Sequence, residues 1–251
     1  MGARSHRREA GQRALRVPLE AEVEGFLLRR FKRFLADVET REGRKLTVHC
    51  PDPGSMKGVL VPGAAVRCST SDNPKRKLRH TLEMIRIGRS WVGLNPGRAN
   101  GVARAAIEAG LLPELRGYDL VRPEVSLVHG GRRSRLDFHL SGHSARPDTW
   151  LEVKSVTLAE GERGRFPDSV TARGRKHAVL LGELAARGER AALLFVVQRG
   201  DVRSVEPADD IDPAYGAALR QAVDRGALVL ALGTRVTKGA QVVTGPLPVR
   251  M

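Results

Sequence analysis

An unbroken apolar segment in the C-terminal half constrains the fold of this chain more than any other feature. Residues 191–197 read Ala-Ala-Leu-Leu-Phe-Val-Val, between Arg190 and Gln198. A strand with one face in water alternates apolar and polar side chains, whereas a strand covered on both faces is apolar throughout. The segment therefore predicts a central strand with other elements packed on both sides, as in an α/β sheet.

The surrounding elements extend this prediction to a mixed sheet with helices. Helical patterns cover 100–109, 174–187 and 214–225, and strand patterns cover 124–128, 135–140, 149–158 and 227–232. The first half instead has short strand-like segments separated by Gly and Pro, as in a small β-barrel such as an OB-fold. The predicted fold class is α/β with an N-terminal all-β part.

Two neighbouring strands of the C-terminal half carry charged side chains on one face. Glu152 and Lys154 are two residues apart in a strand, so they project to the same side. Asp137 lies in the preceding strand and can sit beside Glu152 if the two strands pair. Two carboxylates and an ammonium suit Mg²⁺-dependent phosphodiester cleavage. The alternative is an exposed Glu–Lys pair of little energetic value.

Other polar residues are weaker candidates for the same site. Glu108 and Glu124 could each supply a further carboxylate, and Gln198 could point an amide into the site, although an ordinary strand end is the simpler explanation. The histidines at 129, 139 and 143 match no zinc spacing. Cys50 and Cys68 lack a Cys-x-x-Cys spacing, which favours buried thiols.

The charge of the chain favours a polyanionic partner, and nucleic acid is the obvious one. The net charge is +15 and the sequence pI is about 11.0. Residues 1–18 carry +4 and are predicted to be a disordered basic tail. Residues 19–98 carry +7 against +4 for residues 99–251, so the N-terminal half is the likelier contact with a phosphate backbone.

Two short basic segments are candidate phosphate contacts. The first is a loop between strands with Lys75, Arg76, Lys77 and Arg79. The second, with Arg173, Arg175 and Lys176, opens a predicted helix, where cations oppose the helix dipole and an anion would relieve that cost. For each segment, a solvated surface is the alternative.

Aromatic residues are scarce, and this bears on the mode of binding. Only 4% of residues are Phe, Trp or Tyr. We expect a small N-terminal core to bury most of Phe26, Phe31, Phe34 and Trp91, which leaves few rings for base stacking. Binding to the DNA backbone with little sequence preference is therefore expected.

The sequence has no apolar stretch of membrane-spanning length and no signal-peptide core, so a cytoplasmic location is expected.

Several motifs follow one another in a characteristic order. They are His49-Cys50-Pro51-x-x-Gly54-Ser55-Met56, Asn73-Pro74-Lys75-Arg76-Lys77, Ser134-Arg135-Leu136-Asp137, Glu152-Val153-Lys154, Phe166-Pro167-Asp168-Ser169-Val170-Thr171, Arg173-Gly174-x-Lys176-His177, Gln198-Arg199 and Ile211-Asp212-Pro213-x-Tyr215. Over residues 24–233, this series resembles the sugar fermentation stimulation protein family. The chain departs from the family pattern at Asp52-Pro53, where Asn-Thr is expected, and at His80-Thr81-Leu82, where aromatic residues often follow the basic loop.

The resemblance implies a domain organisation and a chemistry. It implies an OB-like nucleic-acid-binding domain at 19–98 and a mixed-sheet, restriction-endonuclease-like α/β domain of the PD-(D/E)xK type at 99–234. Residues 1–18 and 235–251 lie outside the resemblance, and 235–251 are predicted to be a C-terminal tail. It implies that Asp137 and Glu152 are metal carboxylates for Mg²⁺ or Mn²⁺ and that Lys154 is the catalytic lysine. It also implies DNA binding and an association with the regulation of sugar metabolism.

Three functional hypotheses follow. The first is metal-dependent phosphodiester hydrolysis, in which Lys154 orients a water molecule or takes its proton. The second is a non-enzymatic DNA-binding regulator with a vestigial nuclease-like site. The third, a small-molecule or nucleotide-binding module, leaves the charge of +15 unexplained. The sequence gives no indication of the oligomeric state.

Overall fold

The computed structural model describes residues 14–251 as an N-terminal barrel followed by an α/β domain. The barrel strands are β2 to β7, and a short strand β1 precedes them. Their bounds are β1 Arg16–Pro18, β2 Val23–Phe31, β3 Leu35–Thr40, β4 Lys45–His49, β5 Ala65–Thr70, β6 His80–Ile87 and β7 Ser90–Gly93. This is the all-β part that the sequence predicted.

Closure of the barrel depends on one parallel contact. The strand order is β4-β3-β2-β5-β6-β7, and β4 also pairs with β6 at His49 and Thr81. The core inside the barrel is aliphatic and sulfur-containing: Leu27, Ala36, Val38, Val48, Cys50, Met56, Val59, Val66, Cys68, Leu82, Ile85, Val92 and Leu94. Both cysteines are buried free thiols, as predicted.

The C-terminal domain is a seven-stranded mixed sheet with helices on both faces, and the predicted fold class is confirmed. Its elements are α1 Gly97–Glu108, β8 Leu120–His129, β9 Arg132–Ser141, β10 Thr149–Val156, β11 Ala159–Glu160, β12 Arg163–Phe166, α2 Ala172–Ala186, β13 Arg190–Val197, β14 Ser204–Pro207, α3 Pro213–Asp224, β15 Leu228–Val236 and β16 Ala240–Leu247. The sheet order is β1-β16-β15-β13-β10-β9-β8, and β11-β12-β14 form a small separate sheet.

Strand β13 is covered on both faces, as its apolar sequence predicted. It pairs in parallel with β10 and with β15. Leu193, Phe195 and Val197 belong to the core beneath α2 and α3, whereas Leu194 and Val196 belong to the core beneath α1. Among residues 14–251, none of the helices combines the length and apolar character needed to cross a bilayer.

Both ends of the described chain are more ordered than the sequence analysis expected. Strand β16 lies within the predicted tail 235–251 and pairs antiparallel with β15. Residues 16–18, assigned to the basic tail, form β1 on the outer edge of β16. The reason is burial, because Val242 and Val243 are only 4% and 5% exposed. Residues 1–13 of the predicted tail lie outside the described residues.

The barrel and the α/β domain are joined by short contacts. The backbone N–H of Gly93 donates to the Gln198 carbonyl (2.8 Å), and a Cβ on Gly93 would lie 2.7 Å from Oε1 of Gln198. Only glycine allows this close approach. A small apolar cluster of Leu19, Ala21, Met84 and Val236 also joins the two units.

Strand β16 offers a direct test of the revised C-terminus. We expect Val243→Asp to lower the free energy of unfolding by about 4 kcal/mol or more, because it places an unpaired charge in the core beneath α1. Thr244→Asp, at the next and exposed position, should change stability by less than about 0.5 kcal/mol. Denaturant unfolding of both variants checks this, and equal stabilities would contradict the packed position of β16.

Candidate active site

A cavity of about 620 Å³ lies between the barrel and the α/β domain. Asp137, Glu152 and Lys154 all line it, so the structure brings together the three residues that the sequence singled out. The wall on the barrel side includes Arg33, Asp52 and the adjacent Pro53-Gly54 backbone. The start of α1 and the segment 165–173 complete it.

Asp137 occupies the point where β9 and β10 separate. The paired register of these strands ends at Leu151 and Phe138, one step before Asp137 would face Glu152. Beyond that step, Oδ2 of Asp137 accepts a hydrogen bond from the Val153 backbone N–H (2.8 Å). Oδ1 accepts a second from Nδ2 of Asn100 on α1 (2.9 Å). The carboxylate thus satisfies a backbone donor of β10 and is fixed beside Glu152.

Glu152 is almost completely buried, and its two oxygens differ. Oε1 accepts a hydrogen bond from Nζ of Lys154 on the same strand and is hydrogen-bonded to Nδ1 of His177 on α2. Oε2 is buried and has no hydrogen-bond partner among the described residues 14–251. An unpaired carboxylate oxygen in the interior costs free energy unless a ligand satisfies it.

The pKa values of the two carboxyl groups shift in opposite directions. Burial, followed by the nearby charge of Glu152, raises the pKa of Asp137 above its usual range. Burial also acts to raise the pKa of Glu152, but the hydrogen bond from His177 and the charge of Lys154 outweigh it, so that pKa is lowered. Glu152 is therefore the more firmly ionised group, and a second charge on Asp137 is disfavoured unless a cation lies nearby.

The donor set fits a hard divalent cation. Mg²⁺ prefers oxygen ligands and usually keeps several waters, so one or two carboxylates can hold it. The partnerless Oε2 of Glu152 and the neighbouring Asp137 carboxylate supply such oxygens. Within the described part of the chain, no group of three or more His, Cys, Asp or Glu side chains is placed to hold a metal ion. Water or a bound phosphate would have to complete the coordination.

The barrel contributes a buried acid to the opposite wall. Asp52, the departure from the family pattern, accepts a hydrogen bond on Oδ1 from the Gly54 backbone N–H (2.7 Å). Its burial raises the pKa of the carboxyl, as does the nearby charge of Asp168. Asp168 itself accepts a hydrogen bond from the Met56 backbone N–H (2.7 Å) and so links the two domains at the cavity.

The predicted basic residues fall into two groups. Arg173 lines the cavity, and it lies with Arg175 and Lys176 on the exposed side of the first turns of α2. The exposed loop residues Lys75, Arg76, Lys77 and Arg79 do not line the cavity. Within that loop, Nη2 of Arg76 donates to Oγ1 of Thr81 (2.8 Å).

The weaker candidates lie outside the cavity. Glu108 forms an exposed ion pair with Arg104, and Glu124 forms one with Arg135. Gln198 lies behind the site, where its Nε2 donates to Oγ of Ser155 (2.6 Å). His129 and His139 each lie close to a carboxylate, at 2.9 Å from Glu183 and 3.6 Å from Asp148.

Four residues at the site had no assigned role in the sequence analysis: Arg33, Asn100, Asp168 and His177. Asp168 and His177 lie within recognised motifs, but a motif does not show which side chain a residue contacts. Asn100 meets Asp137 across 37 residues of sequence, and His177 meets Glu152 across 25. Such contacts exist only once α1 and α2 pack on the sheet.

Comparisons with known proteins agree with the division into two domains. The model of the SfsA N-terminal OB domain matches residues 28–94, and that of the sugar fermentation stimulation protein RE domain matches residues 97–240. A sugar fermentation stimulation protein homolog of Geobacter metallireducens is 49% identical over 90% of this chain and 95% of its own length. The homolog of Geobacter sulfurreducens is 48% identical over 90% of this chain and 94% of its own length.

A solved structure is also similar. It is described as Pyrococcus furiosus SfsA in complex with Ca²⁺, and it superposes with a TM-score of 0.82 at 28% sequence identity. The match covers 93% of this chain and 98% of that one.

The raised pKa of Asp137 makes a prediction about stability. A carboxyl whose pKa is higher in the folded chain than the ordinary 3.8 lowers stability as pH rises through the interval between the two values, and the loss persists above it. Asn at position 137 cannot accept both hydrogen bonds that the carboxylate accepts, so the change of stability with pH is measured rather than its value at one pH. With EDTA present, we expect the Tm of Asp137→Asn relative to the wild type to rise as the pH is raised from 3.8 to 7.

A matched control is Asp72→Asn, because the Asp72 side chain is 99% exposed. The Tm difference between Asp72→Asn and the wild type should change less over the same pH range. A Tm difference for Asp137→Asn that stays constant or falls between pH 3.8 and 7 would mean that the ionised carboxylate does not destabilise the fold, contrary to the direction of its pKa shift.

Proposed function

The chain belongs to the sugar fermentation stimulation protein family, and from this premise we propose that it binds DNA with little sequence preference and hydrolyses phosphodiester bonds with Mg²⁺ or Mn²⁺. One observation carries the proposal. Oε2 of Glu152 is buried without a partner beside Asp137, in a cavity that Lys154 also lines. The alternative of a merely exposed Glu–Lys pair does not fit a carboxylate that is 3% exposed.

Each residue has a distinct role in this proposal. Asp137 and Glu152 would hold the metal ion, which when bound polarises the phosphate and lowers the pKa of a bound water. Asn100 fixes the Asp137 carboxylate, and His177 fixes that of Glu152. Lys154 is anchored by Glu152 and keeps two N–H donors for a water or a phosphate oxygen. The Ca²⁺ named for the Pyrococcus furiosus relative supports a divalent cation here.

The basic residues would hold the DNA backbone. Arg173 lines the cavity, and Arg175 and Lys176 continue from it along the exposed side of α2. The loop residues Lys75, Arg76, Lys77 and Arg79 offer a second exposed cluster on the barrel. Contacts of this kind position a polyanion without reading its sequence, in keeping with the net charge of +15.

A second candidate function is DNA binding without hydrolysis, as in a regulator of sugar metabolism. The observation that favours it is the contact of Glu152 Oε1 with both Lys154 and His177, which gives this oxygen a cation and a second polar partner from the protein alone. This candidate predicts DNA binding that neither EDTA nor Lys154→Ala changes, together with no cleavage.

Plasmid nicking tests the leading proposal. We expect wild-type protein to nick supercoiled plasmid with Mg²⁺ or Mn²⁺, and Glu152→Gln to lose about 100-fold or more, because metal ions contribute several kcal/mol to such reactions. Asp137→Ala should behave similarly and should also lose metal affinity in calorimetry.

Glu108→Gln is the matched control, because Glu108 is an exposed glutamate outside the cavity. It should retain full activity. Wild-type protein that nicks plasmid with neither metal, or Glu152→Gln protein that nicks at the wild-type rate, rules out hydrolysis at this site.

The salt dependence of binding tests the basic residues. Replacing Arg173, Arg175 and Lys176 by Gln should flatten the slope of log K against log salt by roughly 0.9 for each duplex phosphate that the variant no longer neutralises. Arg187→Gln, at the exposed opposite end of α2, should leave the slope unchanged. An unchanged slope in the triple variant would place the DNA elsewhere on the protein.

A further inference from the structure

We propose that the tip of the β2–β3 hairpin, residues 31–34, is a base-stacking element that gives the cavity a preference for single-stranded DNA. The inference rests on the proposed DNA-binding function and names its substrate class. The tip reads Phe31-Lys32-Arg33-Phe34, so two cations lie between two aromatic rings. Phe34 is the ring that we expect to stack on an unpaired base.

The aromatic residues of the barrel are not used in its core, contrary to the sequence analysis. The barrel core consists of aliphatic residues, methionine and cysteine. Phe26 and Phe34 are each 42% exposed, Phe31 is half-buried, and Trp91 packs against the cluster at the domain junction. The scarcity of aromatics therefore does not exclude base stacking, because rings that a core would have consumed remain at the surface.

Arg33 connects the exposed ring of Phe34 with the candidate active site. Its guanidinium carbon lies 5.5 Å from the centroid of the Phe34 ring. The same side chain lines the cavity that Glu152 and Lys154 also line. A strand entering the cavity would thus meet a cation and an aromatic ring together, the combination that binds single-stranded nucleic acids.

Three hydrogen bonds hold the hairpin against the cavity wall. Nη2 and Nη1 of Arg30 donate to the carbonyls of Asp52 (2.8 Å) and Gly54 (2.9 Å). Nε of Arg33 donates to the Pro53 carbonyl (2.9 Å). All three acceptors line the cavity. A platform that is fixed before binding loses little conformational freedom when a ligand arrives.

The backbone of the tip also favours a functional role. Lys32 and Arg33 have positive φ angles of 45° and 62°, a conformation that glycine or asparagine adopts more easily. Two long cations therefore occupy positions where the turn itself would favour Asn-Gly. Backbone strain of this kind is concentrated at ligand-binding sites.

Stacking on Phe34 requires an unpaired base. In continuous duplex DNA, the faces of the bases are covered by their neighbours, so only a single-stranded segment or an extruded nucleotide can present one. A duplex can still contact the basic residues through its phosphates. The hairpin thus predicts a preference for single strands in addition to backbone binding.

Fluorescence anisotropy tests this inference in EDTA, which separates binding from cleavage. The probes are a labelled thymidine oligonucleotide, the same oligonucleotide with abasic residues at its centre, and a duplex. We expect Phe34→Ala to weaken binding of the intact single strand about 5- to 30-fold, toward the lower end of the stacking range. Binding of the abasic strand and of the duplex should change less than about twofold.

Two variants control for the identity and the position of the ring. Phe34→Trp should retain wild-type affinity for the intact strand, because the indole also stacks. Phe26→Ala removes a ring of equal exposure, 42%, near the other end of β2 and should leave all three affinities unchanged. Circular dichroism confirms that each variant is folded.

The outcomes separate this inference from the proposed function. Wild-type affinity of Phe34→Ala for the intact strand, or an equal loss on the abasic strand, overturns the stacking role while leaving DNA binding in place. An equal loss in Phe26→Ala overturns the assignment to the hairpin tip. Wild-type protein that binds none of the probes overturns both proposals. Phe34-dependent binding without plasmid nicking supports the inference and removes only the nuclease.

Discussion

The site depends on the contacts that the buried carboxylate of Glu152 makes with Lys154 and His177. A carboxylate moved from water to a protein interior loses several kcal/mol of solvation, so it needs partners that are already in place. Lys154 follows on the same face of β10, whereas His177 comes from α2. Both reach the same oxygen only when α2 packs correctly against the sheet. The packing of β13 between the two apolar cores is therefore a condition for the site as well as for the fold.

The cavity requires both domains. Asp137, Glu152 and Lys154 belong to the α/β domain, while the opposite wall is formed by Arg33 and the segment that begins at Asp52. Asp168 joins the walls through the Met56 backbone, and a Cβ on Gly54 would lie 2.5 Å from the Asp168 carboxylate oxygens. Because the walls meet so closely, a movement of the barrel relative to the sheet would change the shape of the cavity.

The sequence predicted the parts of this structure that depend on local periodicity. Glu152 and Lys154 share a face because strand side chains alternate, and 191–197 is central because it has no polar side chain. The contacts of Asn100 and His177 were beyond prediction, since they depend on how helices dock. Phe34 was expected in the core, but its place beside the hairpin turn leaves it exposed. Strand β16 was assigned to a tail because residues 235–251 lie outside the family resemblance, although Val242 and Val243 are buried there.

The distribution of charge in the cavity bears on the proposal that a polyanion binds beside carboxylates. Asp137 and Glu152 repel a phosphate, and burial together with the charge of Glu152 raises the pKa of Asp137, so a second negative charge is disfavoured there. Lys154 offsets only part of this charge, and Arg33 and Arg173 line the same cavity. A divalent cation bound to the two carboxylates would reverse the local sign at the point where the phosphate must approach. Under the proposed function, DNA would contact the exposed basic residues without metal, whereas close approach of a phosphate to Asp137 and Glu152 would require it.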